Sequence, residues 1–233
     1  MLNQLVEWER EAFLWLNDWH SPYGDAFFYL FTSSHTWVGV WLLLALLCFY
    51  KQPAKEGILV VIALLFSLLV CDQLTSHLIK PLCMRPRPTH YPAIQDLVQV
   101  VYEYRGGQYG FVSGHSANYF SLAMFTSLLF RNRSYSFFMF LVAVLIAYSR
   151  IYIGVHFITD VIPGAIIGML IGSLVYYFYK KVRLRWVEGA RSTPAHKVLA
   201  PMCRRWLALL TVFLVFLLSV SFTVMKATAR LMS

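Results

Sequence analysis

The sequence predicts an all-α polytopic membrane protein: six transmembrane helices in a bundle, preceded by an amphipathic helix lying in the membrane interface. Three observations predict it. The first is composition: of 233 residues, 59% are hydrophobic, 17% aromatic and only 13% charged, about half the charged fraction of a soluble domain. The second is a recurrence of apolar runs of about 20 residues, each long enough to cross the hydrocarbon layer as a helix. The third is that basic residues gather in the short segments between those runs, as membrane topology requires.

The first element is residues 1–20. Leu2, Leu5, Val6, Phe13 and Leu16 fall at helical spacing, with Glu7, Arg10, Glu11 and Asp18 elsewhere around the helix. Trp8, Trp15 and Trp19 suit the headgroup layer, so this helix is expected to lie in the interface. It has no basic leader followed by an apolar run, and a signal peptide is not expected. Six spans follow, over 26–50, 58–79, 113–130, 136–154, 156–179 and 206–225. In the fifth, Gly164, Gly168 and Gly172 form a small-residue stripe that lets another helix approach closely, while Pro163 is expected to kink the span or unlatch one backbone bond. No other repeat or low-complexity segment occurs, so residues 1–233 read as one domain.

The charge count sets the orientation. Segments around Lys51–Lys55, Arg131–Arg133 and 180–205 lie on one side and carry 12 of the 20 basic residues. The opposite side holds Arg10, Lys80, Arg85, Arg87, Arg105, Arg150, Lys226 and Arg230. The first side is therefore expected to be cytoplasmic and the 80–112 loop to face outward. A net charge of +9 would suggest nucleic acid in a soluble domain; here it follows from topology, and no nucleic-acid partner is expected. Cys48, Cys71, Cys83 and Cys203 show no paired spacing, which excludes a disulfide framework or zinc ribbon.

Three outward segments hold the unusual polar residues. KPLCMRPRP contains Lys80, Arg85 and Arg87; VSGH places Ser113, Gly114 and His115 at the start of the third span; SRIYIGVHFITD contains Ser149, Arg150, His156 and Asp160. Lys80, Arg87 and Arg150 are three cations from separate segments, and the arginine fork suits phosphate oxygens. Ser113 and Gly114 precede a helix, so their N–H groups can cradle an oxyanion. His156 and Asp160 are four apart and would share a helix face. A carboxylate there fixes the ring tautomer and leaves the other nitrogen as a nucleophile. Blander readings stand beside these: interface anchors for the cations, a helix cap for His115, a structural ion pair or metal ligands for His156 and Asp160.

Together the three segments resemble the signature motifs of the type 2 phosphatidic acid phosphatase family: Lys-x6-Arg-Pro (Lys80, Arg87, Pro88), Pro-Ser-Gly-His (Val112 in the proline position, then Ser113, Gly114, His115) and Ser-Arg-x5-His-x3-Asp (Ser149, Arg150, His156, Asp160). The resemblance covers roughly residues 58–179. It implies a metal-independent lipid phosphatase with no cofactor and a membrane lipid as substrate. His156 would be the nucleophile, oriented by Asp160, and His115 the acid that protonates the leaving oxygen. Lys80, Arg87, Ser113, Gly114 and Arg150 would hold the phosphate. It further implies a bacterial inner membrane, a site facing the periplasm, and as leading substrates lipid A phosphate and undecaprenyl diphosphate, ahead of phosphatidylglycerol phosphate and phosphatidic acid. An anion transporter or channel is the reading from a different class.

Three other features are expected to play lesser parts. Asp72, Ser76 and Lys80 fall at steps of four, so Asp72 is expected to be a buried partner on the Lys80 face. Arg85 is expected at the rim of the site. The loop Tyr102–Gly110, with paired glycines among aromatics, either closes over a headgroup or is an ordinary connection.

Overall fold

The computed structural model describes residues 2–232, with side-chain surroundings for residues 7–229. Leu2, Leu5, Val6 and Arg230 lie outside the residues whose side chains are described. Among the described residues the regular structure is helical, with no strand, and a long loop, 84–113, separates α5 from α6. The helices are α1 (Leu2–Asn17), α2 (Pro22–Thr32), α3 (Ser34–Leu47), α4 (Ala54–Asp72), α5 (Lys80–Cys83), α6 (Gly114–Phe130), α7 (Arg133–Tyr152), α8 (Ile158–Trp186), α9 (Ala195–Val198) and α10 (Ala200–Met232). A π-helical segment, Gln73–Ile79, joins α4 to α5.

Four helical stretches are long and apolar enough to cross a membrane: Ala54–Cys83, Arg133–Tyr152, Ile158–Trp186 and Ala200–Ala229. The expected first span, 26–50, is not one straight helix. It breaks at Ser33, where the backbone is extended, and α2 and α3 meet at 50°. Taken as one bent span they make a fifth. The indole N–H of Trp37 donates to the carbonyl of Phe31 at 2.6 Å and so satisfies a backbone group that the break exposes. Only α6 is short for a span, at 17 residues.

At the centre of the bundle is α6, packed on α8, α7 and α4. The α6–α8 contact depends on the glycine stripe. A Cβ on Gly164 would lie 2.6 Å from the Ser113 carbonyl oxygen, and one on Gly168 or Gly172 would strike the carbonyls of Ala117 or Ser121. Only glycine lets the backbones approach this closely. Although Pro163 removes the bond to the Thr159 carbonyl, α8 continues through it.

Opposite the loop 84–113, a buried ion pair joins two helices. The Arg183 guanidinium donates to Glu56 Oε1 at 2.6 and 2.9 Å, and to the carbonyls of Ala190 and Thr193. Glu56 is 1% exposed and Arg183 4%. Removing one partner of such a pair strands the other charge in the interior and costs about 3–5 kcal/mol. Glu56→Ala should accordingly lower the melting temperature in detergent by roughly 10 °C, followed by tryptophan fluorescence. Glu188→Gln, which breaks the exposed Lys55–Glu188 contact at 3.5 Å, should change stability by less than about 1 kcal/mol.

Candidate active site

At the other end of the bundle, the loop 84–113, the junction between α7 and α8, and the start of α6 meet. Arg150 closes the last turn of α7, and the chain then turns through Gly154, whose φ of +78° suits glycine. A Cβ there would meet Val98 at 2.6 Å. Buried Asn17, the last residue of α1, donates to the carbonyls of Tyr152 at 2.8 Å and Ile151 at 3.3 Å. It also accepts the Gln99 N–H at 2.8 Å. The junction is thus fixed from three directions before it delivers His156.

The His156–Asp160 pair forms, though not by helical stacking. α8 begins at Ile158, so His156 precedes the helix, and Asp160 reaches back from its first turn. Asp160 Oδ2 accepts the Phe157 N–H at 2.9 Å and lies 3.4 Å from His156 Nδ1. A carboxylate in this position satisfies an otherwise unpaired amide and complements the helix N-terminus. On the far side of the ring, Arg87 Nη1 meets His156 Nε2 at 3.1 Å and the Val155 carbonyl at 3.1 Å. A guanidinium can only donate, so Nε2 accepts and the ring proton is assigned to Nδ1, facing Asp160. Burial, then the charges of Arg87, Arg150 and Lys80, hold the pKa of His156 well below the ordinary histidine value. The ring is neutral with its Nε2 lone pair available.

All three expected cations act on this ring. Arg150 is 3% exposed; its Nη1 donates to Thr32 Oγ1 at 2.9 Å and its guanidinium lies 5.8 Å from the Tyr104 ring. The Nε groups of both Arg87 and Arg150 are buried without a hydrogen-bond partner, an arrangement that favours an anion accepting from them. Burial, with repulsion from Arg150, pushes the pKa of Arg87 down to about 10, still charged at neutral pH. A Cβ on Gly114 would lie 3.8 Å from Lys80 Nζ, which places the ammonium beside the first residue of α6. His115 and Arg150 both line a cavity of about 260 Å³ with Tyr29, Thr32 and Tyr104.

Ser113 departs from the expected cradle. Its N–H donates to the Asp160 carbonyl at 2.9 Å and its Oγ caps α6 by accepting from Ser116. It is fully buried. Its amide is therefore spent on joining α6 to α8, and the donors that open α6 are the N–H groups of Gly114 and His115. Val112 is buried, and the Phe111–Val112 peptide is cis.

Two further corrections concern the 72–87 region. Asp72 is exposed rather than buried, and its carboxylate lies 3.7 Å from His77 Nδ1. The segment between Asp72 and Lys80 is π-helical, Gln73–Ile79, rather than the regular α-helix that a spacing of four assumes. Arg85 is more than a rim residue. It donates to Asp160 Oδ1 at 2.9 Å, Thr159 Oγ1 at 2.6 Å and Glu9 Oε2 at 2.6 Å, over the face of Phe157 at 4.6 Å. The Thr159 hydroxyl also meets Glu9 Oε1. Glu9 belongs to α1, so the first helix is tied directly to the buried carboxylate; neither Glu9 nor Thr159 carries a motif signal. The loop Tyr102–Gly110 is part of the site as well: the Gln108 carbonyl accepts the Arg87 N–H at 3.0 Å, and a Cβ on Gly110 would lie 2.8 Å from Asp160 Oδ2. Among the described residues, no group of three His, Cys, Asp or Glu side chains gathers at a possible metal position.

Comparison with known proteins agrees with this geometry. Residues 60–184 match the model of the PAP2 superfamily. A lipid A 4′-phosphatase of Porphyromonas gingivalis is 50% identical over 195 residues, 84% of this chain and 82% of the relative. A lipid A 4′-phosphatase of Bacteroides thetaiotaomicron is 35% identical over 186 residues, 79% of this chain and 83% of the relative. The crystal structure of Aquifex aeolicus LpxE superposes with a TM-score of 0.56 at 27% identity, over 72% of this chain and 93% of that one.

The α1 tether is testable by hydrogen exchange. Glu9→Gln and Arg85→Ala each remove a charged hydrogen bond, worth about 1.5–3 kcal/mol when largely buried. Both should raise amide exchange in α1 by roughly tenfold or more. Only Arg85→Ala, which also strips a donor from Asp160, should raise exchange in the first turn of α8.

Proposed function

The chain belongs to the PAP2 superfamily, and from that premise we propose that it is a membrane lipid phosphatase that removes the 4′-phosphate of lipid A through a phosphohistidine intermediate. The observation that carries the reading is the clamped imidazole: His156 between the Asp160 carboxylate and the Arg87 guanidinium, in a site with two buried arginine Nε groups lacking partners. The names of the P. gingivalis and B. thetaiotaomicron relatives supply the choice of lipid and of phosphate.

In the proposed reaction the substrate phosphate replaces Nε2 as acceptor for Arg87 and takes donors from Arg150, Lys80 and the N–H groups of Gly114 and His115. His156 Nε2 attacks phosphorus. The N–P bond forms as the bond to the sugar oxygen breaks, and His115, taking up a proton as the phosphate anion binds beside it, gives that proton to the leaving oxygen. Asp160 stabilises the positive charge that develops on the ring. Water, losing its proton to His115, then hydrolyses the phosphohistidine and releases inorganic phosphate. The fixed cations carry the charge on the equatorial oxygens, where phosphoryl transfer gains most of its stabilisation, so the reaction runs without a metal ion. An ion channel, by contrast, gains nothing from holding an imidazole in one tautomer beside a neighbouring second histidine.

The same reading takes the bent pair α2–α3 and the short α6 as spans alongside the four long helices, which makes six. α1 then lies in the interface: Trp8 and Trp15, with Trp19 just past its end, are each more than 60% exposed, and Phe13 packs against Phe157. With both termini outward, the site faces the periplasm, and the bilayer is a bacterial inner membrane.

The test is phosphate release in mixed micelles from bisphosphorylated lipid A, undecaprenyl diphosphate, phosphatidylglycerol phosphate and phosphatidic acid at equal surface concentration. Lipid A should have the highest kcat/KM, EDTA should leave the rate unchanged, and fragmentation of the product should locate the remaining phosphate at position 1. His156→Ala should reduce kcat by at least about 10³-fold, and Arg87→Ala by about 10²–10³-fold. Undiminished release by His156→Ala would remove the mechanism; loss of the 1-phosphate instead would remove the regiochemistry.

A further inference from the structure

The end of the bundle opposite the candidate active site has a concavity of its own, about 280 Å³, between the end of α6, the last turns of α8 and the segment leading into α9. Arg131, Tyr176, Lys180, Arg183, Arg191 and His196 line it. The cations come from three separate stretches of chain. Arg131 ends α6 in a left-handed conformation with φ +49°, Lys180 and Arg183 stand one turn apart on α8, and Arg191 and His196 arrive from the connection to α10.

Arg183 acts as scaffold here. Its charge is matched by Glu56, and its remaining N–H groups hold the carbonyls of Ala190 and Thr193, fixing the loop that carries Arg191 across from Lys180 and Arg131. The acid side of the ledger is then nearly empty. The segments 48–57, 131–135 and 180–205 contain twelve basic residues and two acidic ones, Glu56 and Glu188. Glu56 is engaged by Arg183, and Glu188, 97% exposed, faces Lys55. Arg131, Lys180 and Arg191 therefore share one cavity with no acid among the described residues opposing them. Topology requires only that basic residues stand on this side; it does not require three of them to surround one hollow built by a buried ion pair.

We propose that this cavity binds the phosphate of a phosphate-ester anion, making a second phosphate site separate from the catalytic one. The Arg131 and Arg191 guanidinium groups and the Lys180 ammonium supply the charge, and the Tyr176 hydroxyl supplies a neutral donor. The hollow is too small for a whole lipid but accepts a headgroup phosphate, and Leu184, half-exposed on its wall, leads onto the apolar flank of α8. The chemistry is that of a basic pocket between helices at the membrane surface, which anionic phospholipids occupy; inorganic phosphate presents the same group in soluble form.

The experiment uses the full chain carrying Arg87→Ala, so that the catalytic site contributes little binding. Purified protein is titrated in detergent with dioleoyl phosphatidylglycerol, with dioleoyl phosphatidylcholine and with inorganic phosphate. Melting temperature and retained lipid, counted by native mass spectrometry, are read for each. Phosphatidylglycerol should raise the melting temperature and be retained, phosphatidylcholine should do neither, and adding Lys180→Gln with Arg191→Gln should weaken the phosphatidylglycerol effect by tenfold or more. If inorganic phosphate alone gives the shift, the site stands and its ligand is the free ion. Equal shifts with phosphatidylcholine, or a phosphatidylglycerol response unchanged by the two substitutions, would overturn the proposal. Should the double variant fold poorly, Lys180→Gln and Arg191→Gln are read singly, each with a several-fold loss expected and no loss in either counting against the site.

Discussion

A carboxylate removed from water must find its charge matched nearby, and Asp160, fully buried, imposes that demand on four parts of the chain. Desolvating such a group costs several kcal/mol. The cost is offset by the Phe157 N–H, the Arg85 guanidinium and the His156 ring. Its backbone carbonyl accepts the Ser113 N–H and joins α8 to the start of α6. Through Arg85 it reaches Glu9 and so draws in α1. The contacts that orient the imidazole are therefore the contacts that assemble this end of the bundle, and a loss at one weakens the other.

The precision of that joint is set deeper in the bundle. Gly164 sits against the Ser113 carbonyl, and Gly168 and Gly172 sit against Ala117 and Ser121 further down α6. Close backbone approach along this seam fixes both the rotation and the height of α6 relative to α8. Ser113 is therefore brought level with Asp160, where its N–H meets the Asp160 carbonyl. Small residues that serve as packing in the membrane serve as alignment at its surface. A larger side chain at Gly164 would separate the helices directly beneath the site.

Much of this site was legible in the sequence because charge is rare in an apolar chain. Lys80, Arg87, Arg150, His156 and Asp160 stand out, and the order of their segments against the spans tells which end they share. The errors have physical causes. A charged residue inside an apolar run suggests burial, yet Asp72 is exposed, and the helix beyond it is π-helical over Gln73–Ile79. The break at Ser33 has neither glycine nor proline to announce it; it is held by a tertiary bond from Trp37. Glu9 and Arg85 contribute through a contact 76 residues apart in the chain, and no periodicity or motif encodes a pair at that separation. The place of Ser113 before a helix suggests a phosphate cradle, yet its N–H goes to the Asp160 carbonyl on a neighbouring helix, a contact that exists only in three dimensions.

The two ends of the bundle each collect arginine and lysine around a hollow, and what separates them is how an acid is used. At the periplasmic end of the proposed orientation, Asp160 is held behind a histidine: its charge reaches the site through an imidazole, and Arg87 and Arg150 keep donors unspent. At the other end, Glu56 is bound directly by Arg183 and its charge goes no further than holding a loop. Both carboxylates are buried and both organise cations. In the proposed mechanism only the one with a titratable ring beside it passes through a covalent step, because there the ring gains positive charge as the N–P bond forms and the carboxylate is placed to stabilise it. The same pairing of a buried acid with surrounding bases is thus read as supporting chemistry at one surface and, without an intervening imidazole, only binding at the other.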